Sequence, residues 1–128
     1  MKIVVVVGSY DVLHFGHFKL LEHASKLGDY VVALIDEDER VRERKGADRP
    51  HHNVEQRMFN LDATRYVDEV LTFGSDDELT NKIKELSPEY MVLGSDWDGK
   101  KIIGYEHVKE VVFFGRIPLF SSTNILNK

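Results

Sequence analysis

The feature that most constrains this chain is a short β-branched run followed by a turn and then by helical spacing. Residues 3–7 read Ile-Val-Val-Val-Val without a polar interruption. Such a run is typical of a strand buried on both faces of a parallel sheet, because a strand with one wet face would alternate. Apolar residues then recur every third position up to a glycine stop: Phe15, Phe18, Leu21, Ala24, Leu27 and Gly28.

The same pattern of an apolar run followed by helical spacing recurs along the chain. Apolar runs at residues 30–35, within 67–73, at 90–93 and at 111–114 predict four more strands. Two capping patterns predict helices that begin near residues 53 and 75, and the charged segment 36–44 predicts a short exposed helix or a loop. A last short helix is expected after Ser121. Alternating strands and helices with short connections predict a single α/β domain with a five-stranded parallel sheet and helices on both faces.

Composition excludes several classes of protein. The 128 residues fit one domain, and the net charge of −5 argues against a non-specific nucleic-acid binder. With no cysteine, disulfides, zinc ribbons and thiol nucleophiles are excluded. No apolar stretch approaches the length of a bilayer span, and the first residues lack a secretory pattern. We therefore expect a soluble cytoplasmic protein that acts on small molecules, with neither nucleic acid nor a membrane as partner.

Ligands of such a sheet bind beyond the carboxyl ends of its strands. The first turn there carries a glycine, several polar residues and two histidines: Gly8, Ser9, Tyr10, Asp11, His14, Gly16 and His17. A glycine lets backbone approach a ligand, and a helix N-terminus favours phosphate. Two imidazoles three residues apart lie on one helical face and can donate hydrogen bonds to it. Metal chelation by the histidines and a purely structural capping role are the alternatives.

Residues 8–17, Gly-Ser-Tyr-Asp-Val-Leu-His-Phe-Gly-His, resemble the signature of the cytidylyltransferase-like nucleotidyltransferases, usually written G-[TS]-F-D-x-[LF]-H-x-G-H. The resemblance covers essentially the whole chain. It implies a Rossmann-like fold in one nucleotidyltransferase domain, residues 1–128, which transfers a nucleoside monophosphate from a triphosphate to a phosphorylated acceptor. By this likeness His14 and His17 contact the triphosphate, Mg²⁺ bridges its oxygens, and Asp11 orients the site or holds the metal. A homodimer is also implied, with exposed aromatic residues such as Tyr105 as candidates for its contact.

The resemblance extends to the later turns. It implies that Lys45 contacts the phosphates of both substrates and that Arg57 positions the nucleotide and its loop. Gly94 and Asp96 follow the fourth strand, where they would contact the base, the ribose or Mg²⁺, and Trp97 is either part of this site or a packing residue. Arg116 precedes a hydroxyl cluster that resembles the family's R-T-x-G-I-S-T-T: Ser121, Ser122 and Thr123. At a helix N-terminus these hydroxyls are expected to form a second phosphate cradle, with a simple N-cap as the alternative. Leu119 replaces the glycine of that pattern.

Different parts of the sequence resemble enzymes that use different nucleotides. Arg116 and residues 96–100 resemble CTP enzymes that act on glycerol 3-phosphate. Residues 44–50, 55–57 and 122–125 resemble ATP-using heptose-1-phosphate adenylyltransferase domains. We expect transfer of CMP from CTP to a phosphorylated small alcohol or sugar. The alternatives are an adenylyltransferase acting on a sugar 1-phosphate and a nucleotide-binding module that has lost catalysis.

Overall fold

The strands and helices alternate as the sequence predicts. The computed structural model describes residues 1–115. In chain order the elements are β1 (Ile3–Gly8), α1 (Phe15–Leu27), β2 (Tyr30–Asp36), α2 (Asp38–Lys45), α3 (Val54–Asp62), β3 (Glu69–Phe73), α4 (Asp76–Leu86), β4 (Tyr90–Gly94) and β5 (Glu110–Phe114), with 3₁₀ turns at Ser95–Trp97 and Tyr105–His107. The helix predicted after Ser121 lies outside the described residues.

All five strands are parallel and form one sheet in the order β3-β2-β1-β4-β5. This confirms the predicted Rossmann-like sheet. The apolar run of β1 occupies the centre, where both faces are covered and Val4, Val5 and Val6 are fully buried. The strand order reverses on the two sides of β1. The carboxyl end of β1, where the first turn begins, therefore lies at the switch point at which such sheets bind ligands.

Helices cover both faces of the sheet, as expected. Leu21 and Ala24 of α1 and Leu61 of α3 are buried against one face. Leu79 and Ile83 of α4 are buried against the other. Within residues 1–115, no helix combines the length and the apolar character that crossing a bilayer requires.

The charged segment after β2 forms a helix, α2, rather than a loop. Val41 fixes it to the protein, because its side chain is fully buried while most of the helix is polar. The C-terminal turn of α2 carries three cations, and favourable interaction with the helix dipole stabilises basic residues there: Arg42, Arg44 and Lys45.

The capping pattern at Asn53 is confirmed in full, and the one at Ser75 only in part: Ser75 Oγ accepts from the Glu78 N–H at 3.1 Å, whereas the Glu78 carboxylate accepts from the Gly74 N–H instead of from Ser75. One helix stop has a different cause from the predicted one. Asn53 Oδ1 accepts a hydrogen bond from the Gln56 N–H at 2.8 Å, and Gln56 Oε1 accepts one from the Asn53 N–H at 3.0 Å. Gly28 follows α1, but its φ of −154° is extended rather than left-handed. A Cβ at this position would lie 2.8 Å from the Lys2 carbonyl oxygen. The glycine is therefore needed because the helix end packs closely against the start of β1.

Candidate active site

The two histidines of the first turn cap the helix that follows them. His14 is the N-cap of α1, and its Nδ1 accepts a hydrogen bond from the Gly16 N–H at 3.0 Å. The Nδ1 of His17 accepts one from the His14 N–H at 3.3 Å. A ring nitrogen that accepts a hydrogen bond carries no proton, so in each neutral imidazole the proton lies on Nε2. The capping alternative thus holds for His14, but it leaves an Nε2–H donor on both rings.

The histidine rings stack on each other and rest on a buried tyrosine. The ring centroids of His14 and His17 are 3.9 Å apart with 26° between the planes, and the Tyr10 ring lies 5.2 Å from that of His17. Tyr10 was predicted to contact nucleotide, but its side chain is buried in the core, where it supports His17. Burial lowers the pKa of His17 to about 4, helped by its electrostatic interaction with the adjacent His14 ring and with the Lys45 ammonium. His17 is therefore neutral near pH 7 and donates from Nε2.

Gly16 is required by the position of the His14 ring. A Cβ at residue 16 would lie 2.9 Å from Cε1 of His14 and 3.2 Å from its Nδ1. Real Cβ contacts are almost never this short. The His14 imidazole therefore occupies the space that a side chain at residue 16 would need.

Lys45 and Ser9 meet at the mouth of a cavity beside the first turn. The Lys45 ammonium donates to Ser9 Oγ at 3.2 Å, and that hydroxyl donates to Asp36 Oδ1 at 3.1 Å. The cavity has a volume of about 460 Å³. Both polar and apolar residues line it, among them Gly8, Asp36, Arg40, Arg44, Phe73 and Trp97. Neither His14 nor His17 is among the residues that line this cavity, but Lys45 lies near enough to His17 for its charge to lower the pKa of that ring.

Arg57 lies beneath the site and is fully buried. Its guanidinium donates three hydrogen bonds: Nε to the His52 carbonyl at 3.1 Å, Nη1 to the Ser9 carbonyl at 3.0 Å, and Nη2 to Asp38 Oδ1 at 2.8 Å. These acceptors belong to three different segments. The geometry favours the loop-positioning part of the role predicted for Arg57, because a fully buried guanidinium does not reach a ligand.

Asp11 ties the first turn to the loop that precedes α3. One carboxylate oxygen accepts from the His51 N–H at 2.7 Å and the other from the His52 N–H at 2.8 Å. Burial alone would raise the pKa of Asp11, but the hydrogen bonds from the backbone of His52 and His51 hold it below its ordinary value. Asp11 is therefore ionised near pH 7 and holds the first turn against the loop that precedes α3.

The described residues do not fit a metal centre built by the protein. Residues 1–115 contain no group of three histidine or acidic side chains that could hold an ion. Both oxygens of Asp11 accept backbone hydrogen bonds, and Asp36 accepts from Ser9 and faces two arginines. A Mg²⁺ ion at this site would be held mainly by substrate phosphates and water.

The turn after β4 contributes to the cavity wall through its tryptophan. Trp97 lines the cavity, and the charged groups of Arg44 and Lys100 lie 5.9 Å and 5.7 Å from its ring. Gly94 ends β4, and Asp96 folds back over it, with Oδ1 3.3 Å from where a Cβ would be. Four predicted site residues lie outside the described part of the chain: Arg116, Ser121, Ser122 and Thr123.

Sequence reasoning did not assign Asp36, Arg40 or Asp38 to the site. Asp36 ends β2 and is only 3% exposed, whereas an acid at that point of the sequence looks like the first member of a solvated charge run. The available signal was its position at the end of a buried apolar run, where the carboxyl ends of parallel strands form the ligand edge of the sheet.

Comparison with known proteins assigns the family. A model of the cytidylyltransferase-like family matches residues 5–126. The chain belongs to the cytidylyltransferase-like family. This confirms the resemblance that residues 8–17 indicate. The matched region also extends beyond the described residues and includes Arg116.

Two relatives and one solved structure show how far the likeness extends. The chain is 38% identical over 129 residues to the glycerol-3-phosphate cytidylyltransferase of Bacillus subtilis (strain 168), which covers 98% of this chain and 95% of that protein. It is 42% identical over 121 residues to the bifunctional protein HldE of Campylobacter fetus subsp. fetus (strain 82-40), which covers 94% of this chain and 26% of that protein. The chain thus spans about a quarter of its HldE relatives.

The solved structure is that of the lipopolysaccharide core biosynthesis protein from Thermoplasma volcanium GSS1. Its TM-score is 0.76 at 23% identity, and the match covers 91% of this chain and 98% of that one. This likeness supports the Rossmann-like fold.

Proposed function

We propose that this protein is a nucleotidyltransferase that transfers CMP from CTP to a phosphorylated small alcohol or sugar, such as glycerol 3-phosphate, and releases pyrophosphate. The observation that carries the proposal is the pair of Nε2–H donors at the N-terminus of α1, next to the Ser9–Lys45 pair. Similarity over 95% of a glycerol-3-phosphate cytidylyltransferase supports this choice of nucleotide and acceptor.

The nucleotide half of the reaction uses the start of α1. His14 and His17 would donate from Nε2 to oxygens of the α-phosphoryl group and the leaving pyrophosphate, where negative charge develops. The positive end of the α1 helix dipole adds potential that favours phosphate. Neutral imidazoles suffice because the task is hydrogen-bond donation rather than proton transfer.

The acceptor half uses the cavity beside Lys45. The phosphate of the acceptor would lie against the Lys45 ammonium, and one of its oxygens would attack the α-phosphorus in line as the bond to pyrophosphate breaks. A phosphate monoester is already a competent nucleophile near pH 7, so no general base is needed. Catalysis then consists of positioning and charge neutralisation. Mg²⁺ would enter as part of the nucleotide complex, and no step is assigned to a metal held by protein groups.

Adenylyl transfer from ATP to a sugar 1-phosphate is the second candidate function. The 42% identity to an HldE protein favours it, and Trp97 and the other apolar residues that line the cavity offer a surface for a sugar ring. We also propose that the protein forms a homodimer, for which the exposed Tyr105 side chain is a candidate contact.

Pyrophosphate release with each of the four nucleoside triphosphates and a panel of phosphorylated acceptors tests the proposal. We expect turnover with CTP and glycerol 3-phosphate or a close analogue. Turnover with ATP and a sugar 1-phosphate alone would establish the second candidate instead. Nucleotide binding without pyrophosphate across the panel would contradict both and favour a non-catalytic module.

Substitution of the histidines tests their assigned role. His14→Ala removes the cap and the donor together, whereas His14→Asn keeps an acceptor for the Gly16 N–H and removes only Nε2. We expect both His14 variants and His17→Ala to lose on the order of a hundredfold or more in kcat. His107→Ala, in a distant 3₁₀ turn, is the control. Activity near the wild-type level in a folded His14→Asn protein would refute the role of this histidine.

A further inference from the structure

A buried carboxylate lies next to the phosphate-binding residues without an assigned role. Asp36 is the last residue of β2, and its side chain is almost completely removed from water. A charge in such a position requires partners, because its hydration is lost on folding. The identity of these partners indicates what the carboxylate does.

The partners of Asp36 are unequal. Its Oδ1 accepts the hydrogen bond from Ser9 Oγ at 3.1 Å. Its Oδ2 lies 3.9 Å from Arg40 Nε and 3.7 Å from Arg44 Nη1, which is too far for hydrogen bonds. Arg40 is hydrogen-bonded instead to Asp76, on α4. The directional contact of Asp36 is therefore the one with Ser9, and the arginines contribute charge.

The Ser9 hydroxyl couples the carboxylate of Asp36 to the ammonium of Lys45. A serine has one proton to donate and two lone pairs to accept with. Because the Ser9 hydroxyl donates its hydrogen bond to Asp36, its lone pairs are available to the Lys45 ammonium, which donates to Ser9 Oγ at 3.2 Å. Without an acceptor at residue 36, the hydroxyl can turn its proton toward the ammonium, and Lys45 loses its fixed position.

We propose that Asp36 is a positioning residue that sets the place of the acceptor phosphate through Ser9 and Lys45. This inference rests on the proposed function. The negative charge of Asp36 does not touch the substrate. It fixes the direction of the Ser9 hydroxyl and thereby holds the cation that meets the phosphate at the point of attack.

Steady-state kinetics of two substitutions test the proposal. Asp36→Leu removes the acceptor, and we expect kcat/KM for the phosphorylated acceptor to fall between about tenfold and a hundredfold, because small displacements of reacting groups are costly. The KM for the nucleotide is expected to change less than about threefold, since its contacts lie at the start of α1. Asp36→Asn retains an acceptor oxygen and should recover part of the loss.

A matched control and a double substitution separate positioning from loss of charge. Asp77→Asn removes an exposed carboxylate of the same helix, α4, that does not line the cavity, and should change kcat/KM by less than about threefold. In a Ser9→Ala background, Asp36→Leu should have almost no further effect. Equal effects of Asp36→Leu with and without Ser9, or equal effects of Asp36→Leu and Asp77→Asn, would overturn the inference.

Crystal structures provide a readout that does not depend on turnover. In a folded Asp36→Leu protein we expect Lys45 Nζ to move away from Ser9 Oγ. In a folded Asp36→Asn protein we expect it to stay nearer to Ser9 Oγ. Lys45 still bonded to Ser9 in Asp36→Leu would overturn the proposal. If the leucine variant does not fold, an Asp36→Asn protein in which the asparagine oxygen still accepts from Ser9 Oγ while Lys45 Nζ has left Ser9 would overturn it. Absence of wild-type activity with every substrate pair would instead contradict the proposed function.

Discussion

Single residues at the start of α1 serve both the helix and the proposed chemistry. His14 and His17 satisfy backbone N–H groups through Nδ1 and keep Nε2 for a ligand. This division fixes the tautomer of each ring before substrate binds. The imidazoles therefore act as oriented donors, which is the property that stabilises charge on a phosphoryl group.

The titration of His17 predicts a dependence of stability on pH. Its folded-state pKa of about 4 lies below the ordinary value of 6.5, so the unfolded chain binds more protons between these values. The contribution of neutral His17 to the free energy of unfolding is complete above about pH 6.5 and is lost as the pH falls toward about 4. Urea unfolding of the wild type and His17→Asn at pH 7.5, 5.5 and 4.5 measures it. We expect the stability difference between them to shrink on acidification, and a constant difference would contradict the assignment.

Gly16→Ala should separate stability from activity. Alanine is favoured over glycine in a helix by roughly 0.5–1 kcal/mol, but the new Cβ would meet the His14 ring at 2.9 Å. We expect thermal stability to be kept or raised while kcat falls by about tenfold or more, because the Nε2 donor moves. A crystal structure of the variant would show the displaced ring. Unchanged kcat would mean that the position of His14 is not critical.

Sequence reasoning identified the residues of the first turn but not their division of labour. The pattern of residues 8–17 pointed to a phosphate site, and the structure brings Ser9, His14, His17 and Lys45 to one edge of the sheet. Two other predicted site residues are buried in the structure, Tyr10 beneath His17 and Arg57 beneath Ser9. Whether a polar side chain faces a ligand or the core depends on tertiary packing, which no local pattern encodes.

At the scale of elements, Arg57 joins segments that the sequence leaves unconnected. It links the first turn, the loop before α3 and the start of α2 through the carbonyls of Ser9 and His52 and the carboxylate of Asp38. The elements themselves follow from local rules, because the β-branched runs and the capping residues predict them directly. Their mutual position depends on long-range contacts of this kind, which spacing does not reveal.

Removal of Arg57 should destabilise the whole protein. Arg57→Met leaves two buried carbonyls and one carboxylate without their donor, so we expect the free energy of unfolding to fall by about 3–5 kcal/mol. Arg57→Lys should recover little, since an ammonium cannot span three acceptors in the plane of a guanidinium. Urea denaturation measures both, with the exposed Arg65→Met as the control. A loss no larger than that of the control would show that these hydrogen bonds contribute little.

At the scale of the whole molecule, positively charged side chains are concentrated at one place although the net charge is negative. The chain carries a net charge of −5, yet Arg44 and Lys45 line the cavity at the end of α2. A phosphorylated substrate would be repelled by most of the surface and attracted to this edge. Sequence composition indicates the acidic balance, whereas the concentration of cations at the cavity needs the fold.

This distribution predicts that salt weakens acceptor binding. Raising NaCl from about 50 mM to about 500 mM shortens the Debye length from roughly 14 Å to roughly 4 Å, so we expect the KM of the phosphorylated acceptor to rise by about threefold or more. Lys45→Met should have a higher KM at low salt and a flatter salt dependence. A KM that does not respond to salt in the wild type would show that local contacts outweigh the long-range field.

The reciprocal histidine cap has a consequence for how specificity can change among relatives. Because backbone N–H groups orient these imidazoles during folding, the proposed function implies that any triphosphate meets the same preset donors, whichever base it carries. Discrimination between pyrimidine and purine, or between an open-chain alcohol and a sugar, then has to be encoded away from this edge. One piece of helix geometry can thus serve several reactions while the surrounding walls differ.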